Sequence, residues 1–242
     1  MIWAILSLAL GGILKGATGA GAPIIAIPAL TMVYDVRLAV TLMILPNLLS
    51  NVWQGWAYRR AALPAGFLLR FCIAGGLGVL VGSWMLAFVS ADLLSLLVAV
   101  GVIAYIAMRI MPRSASATLG YPLARRVAGI AGLAGGLLQG ATGLSAPVSL
   151  SFLNAMRLER ATFIATISAF FVCVTAVQAP ALFALGFLTW DRLLLSLGAL
   201  IVLSAFMPLG RWLARRWSPQ VFDRVILVLL GAIAIRILAG LV

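Results

Sequence analysis

Residues 11–23 read GGILKGATGAGAP and residues 135–147 read GGLLQGATGLSAP, one block written twice at an offset of 124 positions. The offset is half of the 242-residue chain, so the chain is a duplicated unit. The repeated element is a Gly- and Pro-broken stretch inside an apolar segment. Paired interruptions of this kind in the two halves of a membrane protein point to a central substrate site of a transporter.

Composition fixes the surroundings. The chain is 64% hydrophobic and 9% charged, against about 25% charged in soluble domains. Its mean hydropathy is +1.20. Apolar runs of about 20 residues recur throughout, the length needed to cross a bilayer. The net charge of +12 comes from basic residues scattered singly at run ends. They form no basic stripe, so nucleic acid is not an expected partner and the arginines read as topogenic. No G-x-x-x-x-G-K-[ST] motif occurs, so ATP drive would need another subunit. The chain contains no histidine, which removes the commonest metal ligand and neutral-pH acid–base group; no metal site, cofactor or enzyme activity is expected. Cys72 and Cys173 read as isolated packing residues rather than a redox pair. The N-terminus begins in an apolar run without a basic lead, so a cleaved signal peptide is not expected.

The expected fold is an all-α polytopic helical bundle of two inverted repeats, each a broken hairpin plus three transmembrane helices. Repeat 1 spans 1–112, with a hairpin over 1–33 and helices over 36–57, 66–89 and 93–111. A cytoplasmic linker covers 113–126. Repeat 2 spans 127–242, with a hairpin over 127–156 and helices over 161–186, 193–212 and 221–241. The halves of each broken run hold 12 or 13 residues, about 18–20 Å, too short to span. Each broken run is therefore a bent crossing or a re-entrant hairpin with its tip at mid-membrane.

Charge placement chooses the hairpin. With hairpins, eleven arginines from Arg59 to Arg216 fall on one face, and only Arg37 and Arg192 on the other. Such a bias places the arginine-rich loops in the cytoplasm and the N-terminus outside. Three crossings per half then invert one half relative to the other, and the two tips are expected to meet near the midplane.

At the tips, Gly16, Gly19 and Gly21 free the backbone, and Pro23 suits the first turn of a resuming helix. The helix start near Ala22 turns its positive dipole end toward the tip, a natural anion site. The copy supplies Gln139, Gly140, Thr142, Gly143 and Ser145, and Thr18, Thr142 and Ser145 add hydroxyls. The competing reading is small-residue helix packing. Lys15 is the only lysine in the chain, and its counterpart is the uncharged Gln139. A mid-membrane cation requires a partner or a function. No carboxylate lies deep in any run, so an anionic substrate is the expected partner; snorkelling to an interface is the alternative. The first crossing helix carries Asn47, Asn51 and Gln54 on one face. At the 124-residue offset Asn51 matches Thr175, Gln54 matches Gln178 and Asn47 becomes Phe171, with Ser168 adding a hydroxyl. Such stripes hold water or ligand, or hydrogen-bond between helices.

The paired K-G-A-T-G-A-G-A-P and Q-G-A-T-G-L-S-A-P blocks, in a chain of this length and hydropathy, resemble the TauE/SafE family of sulfite and organosulfonate exporters. The resemblance implies a multi-pass permease of the bacterial inner membrane that moves sulfite or a small organosulfonate outward, energised by an ion gradient or the membrane potential. The expected partners are the small anionic substrate, a coupling proton or cation, membrane lipids and further copies of the chain in an oligomer. The other readings are uptake of sulfate, thiosulfate or a small carboxylate, and a membrane redox or assembly factor, which would need a cysteine pair at the site.

Overall fold

The computed structural model describes residues 2–110 and 118–240. Among them every regular element is helical: α1 (Ile2–Thr18), α2 (Ala22–Thr31), α3 (Val36–Leu42), α4 (Ile44–Ala57), a 3-10 turn (Arg59–Ala61), α5 (Ala65–Phe88), α6 (Ala91–Ile110), α7 (Tyr121–Thr142), α8 (Ala146–Ala155), α9 (Arg160–Ala184), α10 (Trp190–Arg216) and α11 (Pro219–Ala239). Five helical stretches are long and apolar enough to cross a membrane, α3 and α4 together counting as one of them. Large apolar side chains such as Leu77, Val100, Ile130 and Ile201 are exposed along the helices. This is the surface expected of a bundle whose solvent is lipid rather than water.

The two broken blocks fold as helical hairpins. In the first, Trp3 Nε1 donates to the Ala29 carbonyl at 2.8 Å, and the bare Cα of Gly11 faces Ala22 and Ala26. α2 therefore returns antiparallel to α1. In the second, Gly135 faces Ser149, and the Leu119 amide reaches the Ala155 carbonyl at 2.9 Å.

The arms are not the short equal halves expected from sequence. α1 has 17 residues and α7 has 22, while α2 and α8 have 10 each. At about 1.5 Å per residue the leading arms reach about 25 and 33 Å, and the returning arms about 15 Å. The expected linker 113–126 differs for the same reason. Its last six residues belong to α7, which starts behind Gly120 with a proline in its first turn. Arg125 and Arg126 read as loop in the sequence but extend a helix. The stretch 111–117, which holds the first five residues of that linker and the end of the helix expected at 93–111, lies outside the described residues, as does the end of the one expected at 221–241.

At an offset of 124, α1 corresponds to α7, α2 to α8, α3–α4 to α9, α5 to α10 and α6 to α11. The packing follows that correspondence. α1 lies along α10 and α5 lies along α7; α4 crosses α9, and α6 meets α11. Each hairpin is thus clasped by a helix from the other half.

Glycine makes the clasp. Gly12 and Gly16 of α1 set their bare Cα faces on the backbone of Leu203 and Met207, and Gly210 of α10 does the same at Ile13. In the second pair, Gly78 and Gly82 meet α7, while Gly132, Gly136 and Gly140 meet α5. These registers run in the same sense, so each clasped pair is parallel. α4 and α9 are antiparallel instead: Asn47 meets Thr175, and Gly55 meets Ser168.

A break in the first crossing has a visible cause. Pro46 has no N–H to offer the Leu42 carbonyl four residues earlier. Ser196 of α10 fills the gap, donating to Leu42 O at 2.9 Å and accepting from Leu45 N at 3.0 Å. The orphaned backbone is thereby satisfied inside protein, as a membrane interior demands.

Candidate functional site

The tips form where glycine permits it. Gly19 and Gly143, equivalent positions, both adopt left-handed backbone, at φ 80° and 72°, which side-chain-bearing residues seldom do. Beside them, Thr18 and Thr142 make the same local bonds. Thr18 Oγ1 donates to Leu14 O at 2.9 Å and accepts from Ala20 N at 3.3 Å. Thr142 Oγ1 donates to Leu138 O at 2.8 Å and accepts from Leu144 N at 3.2 Å. Both hydroxyl hydrogens are engaged within their own tip, so these threonines hold the turn.

The tips overlap rather than meet end to end. Gly19 lies against Ile164 and Gln54, near the end of α4 and the start of α9, whereas Gly143 lies against Ile27 and Val40, near the start of α3. Between them is a cavity of about 10 Å³, lined by Gly21, Pro23 and Ile24 from one hairpin and by Gln139, Gly143 and Ser145 from the other, with Phe171 closing it. That volume holds roughly one water molecule.

A buried polar chain runs beside the tips. Lys15, 1% exposed, donates from Nζ to Asn51 Oδ1 at 3.1 Å. Asn51 Nδ2 donates to Asn47 O at 2.6 Å and to Asn47 Oδ1 at 2.8 Å. Asn47 Nδ2 donates in turn to Thr175 Oγ1 of the other half at 3.0 Å. The chain joins one hairpin and both crossing helices at the centre of the bundle. On the far side, Gln178 Nε2 donates to the Gln139 carbonyl at 3.2 Å.

Charge balance is incomplete there. Among the described residues, Lys15 has no carboxylate in ion-pair range, and the bundle's ion pair is Arg37 with Asp35 at 3.4 Å. An ammonium has three donors, and Asn51 takes one of them. Nearby, Oε1 of Gln54, Gln139 and Gln178 and Oγ of Ser168 are buried without a hydrogen-bond partner. Each unmet buried group costs about 1–3 kcal/mol. The arrangement can take up an anion that accepts from Lys15, with amide and hydroxyl groups around it.

Of the expected site residues, the structure gathers Lys15, Asn51, Asn47 and Thr175 into one hydrogen-bonded chain and places Gln54 beside the Gly19 tip. Gln139, Gly143 and Ser145 border the cavity with Gly21, while Gln178 anchors Gln139. Gly16 and Gly140 sit apart from it, since their Cα faces are covered by Met207 and by Val79 and Ser83.

Two features escaped the sequence reading. Arg160, counted there as topogenic, reaches the Ala17 carbonyl at the first tip at 3.4 Å. Ser149 donates to the Ser145 carbonyl at 2.9 Å and bonds its Oγ at 3.0 Å. The first joins residues 143 positions apart, beyond the reach of spacing along one run, whereas the second is an i, i+4 contact that the Ser145/Ser149 spacing could have signalled. The cysteines require a correction: Cys72 and Cys173 are both free but not isolated, since their side chains lie near each other between α5 and α9. Folding unites positions that the sequence holds a hundred residues apart. The pair lies away from the tips, because Cys173 is exposed while Phe171 and Thr175 on the same helix are buried.

Comparison with known families places this architecture. The family model described as sulfite exporter TauE/SafE matches residues 4–237. No curated protein and no solved structure matches the chain. With its interrupted hairpins, lipid-facing surface and a family match over nearly its whole length, the chain belongs to the TauE/SafE family of membrane transporters.

Proposed function

We propose that the protein exports a small oxyanion, sulfite or a small organosulfonate, and that the anion binds beside Lys15 between the two hairpin tips. The observation that carries this reading is the buried ammonium of Lys15, held by a neutral amide and left with unused donors. A substrate oxyanion supplies the missing charge. The α2 N-terminus, behind Gly21, adds its positive dipole end, and Gln139 and Ser145 approach from the opposite hairpin.

The antiparallel crossing of α4 and α9 supports two inverted halves, with the arginine-rich ends in the cytoplasm of a bacterial inner membrane. An inside-negative potential then favours outward movement of an anion by about 2.3 kcal/mol per charge per 100 mV. The cavity between the tips does not accommodate a four-atom oxyanion. The tips therefore separate to load and release the anion.

The test is flux in liposomes. Purified protein is offered sulfite, sulfoacetate, taurine, sulfate and acetate, with Lys15→Gln alongside. Saturable movement of one sulfur oxyanion, lost in a folded Lys15→Gln protein, is the expected result. Equal flux in both proteins would remove Lys15 from the site, and no flux of any of these anions would overturn the substrate class.

A further inference from the structure

A second polar groove lies at the surface, and it shares no lining residue with the cavity between the hairpin tips. α5 and α7 are parallel, so their N-termini arrive at the same end of the bundle, side by side. There they enclose an open groove of about 450 Å³ lined by Arg70, Tyr121, Pro122, Arg125 and Arg126. The groove is built by a direct tie: Arg70 Nη1 donates to the Arg125 carbonyl at 3.4 Å, and the Arg125 guanidinium lies over Gly66.

The local electrostatics are wrong for an empty groove. Helix starts favour acidic residues, yet neither α5 nor α7 has one in its first turn, and neither Pro64 nor Gly120 caps with a side chain. Instead three guanidinium groups share the space with two positive dipole ends. Among the described residues none of the three is in a salt bridge. A breach of several local rules at one place marks a site whose missing component is a ligand.

The surroundings say which anion. Leu69 and Ile73 on α5, and Leu123 and Ile130 on α7, are exposed large apolar residues close to the arginines in sequence. Leu123, Arg126 and Ile130 stand three and four residues apart, on one face of α7. The charged groove thus opens onto surface that faces hydrocarbon. A free oxyanion would use the arginines alone, whereas a phospholipid uses both parts.

We propose that this groove is a binding site for an anionic phospholipid, whose phosphate is held by Arg70, Arg125 and Arg126 and whose acyl chains lie along Leu69, Ile73, Leu123 and Ile130. The site is independent of the transported substrate. Because the arginines bridge α5 and α7, a bound lipid also fastens the clasp between the first half and the second hairpin.

Native mass spectrometry of the full chain tests the proposal, with titration by phosphatidylglycerol, phosphatidylcholine and inorganic phosphate. The first phosphatidylglycerol is expected to bind the wild type at least tenfold tighter than the combined variant Arg70→Gln, Arg125→Gln and Arg126→Gln. Phosphatidylcholine should not distinguish the two proteins, and Arg215→Gln with Arg216→Gln should behave as wild type. Should the combined variant fail to fold, Leu123→Trp in an otherwise unchanged chain serves as reporter. Its quenching in excess of the wild type's, whose seven tryptophans set the background, should be greater with brominated phosphatidylglycerol than with brominated phosphatidylcholine. Equal phosphatidylglycerol affinity in the wild type and the combined variant, equal quenching by the two lipids, or inorganic phosphate displacing the lipid at similar concentration would each overturn it.

Discussion

Lys15 on α1 and Asn51 on α4 meet at 3.1 Å in a fully buried position, the ammonium donating to the amide oxygen. The contact joins a hairpin to the first crossing helix, and it pairs a cation with a neutral group. If an anion completes the coordination, replacing the neutral partner by an acid should spoil binding. Asn51→Asp creates an internal ion pair that competes with substrate. Its half-saturation concentration in liposome flux is expected to rise about tenfold or more, the weight of a charge-assisted hydrogen bond. A variant with unchanged half-saturation would show that the anion does not depend on the Lys15 charge.

The glycine clasps make a prediction about stability rather than transport. A methyl group at Gly16 runs into the backbone of Met207, and one at Gly136 into the backbone of Gly75. Backbone cannot yield as a side-chain end can. Gly16→Ala and Gly136→Ala should each destabilise the fold by about 1–3 kcal/mol, the range for overpacking. Gly198, with no atom within 4 Å of its added methyl, is the control. Thermal unfolding in detergent should separate the two classes, and a Gly16→Ala midpoint equal to that of Gly198→Ala would contradict the close approach of α1 and α10.

Much of this arrangement could be read from the chain, and the limit has a physical basis. The 124-residue repeat located both tips, and Thr18 and Thr142 make the same bonds because the surrounding residues are the same. The spacing of Asn47, Asn51 and Gln54 put them on one face because a helix fixes its own periodicity. What periodicity does not encode is the partner. Nothing along α1 says that Gly16 will face Met207 of α10, or that Arg160 will reach Ala17. The length of α7 was hidden because Arg125 and Arg126 interrupt its hydropathy without interrupting its helix. Those two arginines look like loop in the sequence and belong to a groove in the fold.

The cysteine pair offers a check that needs no engineered probe. Cys72 and Cys173 are the chain's two cysteines, and their side chains lie near each other between α5 and α9. Mild oxidation of the membrane-embedded protein should link them within one chain, giving a single cross-linked peptide pair by mass spectrometry. Replacing both by serine should leave anion flux intact, since the pair stands apart from the tips. Loss of flux in a folded double variant would return the redox reading to consideration. Failure to cross-link within a chain would argue against the packing of α5 on α9.

The bond from Asn47 to Thr175 at 3.0 Å is the polar link between the two crossing helices, α4 and α9. It sits at the antiparallel crossing, so any relative rocking of the halves must strain or break it. Side-chain hydrogen bonds between membrane helices are worth about 0.6 kcal/mol on average and up to about 1.7 kcal/mol. A double-mutant cycle with Asn47→Ala and Thr175→Val should therefore return a coupling within that range in unfolding measurements. Asn47→Ala should be the costlier single change, because it also removes the Oδ1 that accepts from Asn51. If the link is a hinge, Thr175→Val should alter turnover while leaving the half-saturation concentration near wild type. If Thr175 instead touches the anion, half-saturation should rise with turnover nearly unchanged. The two outcomes separate a joint that moves from a wall of the site.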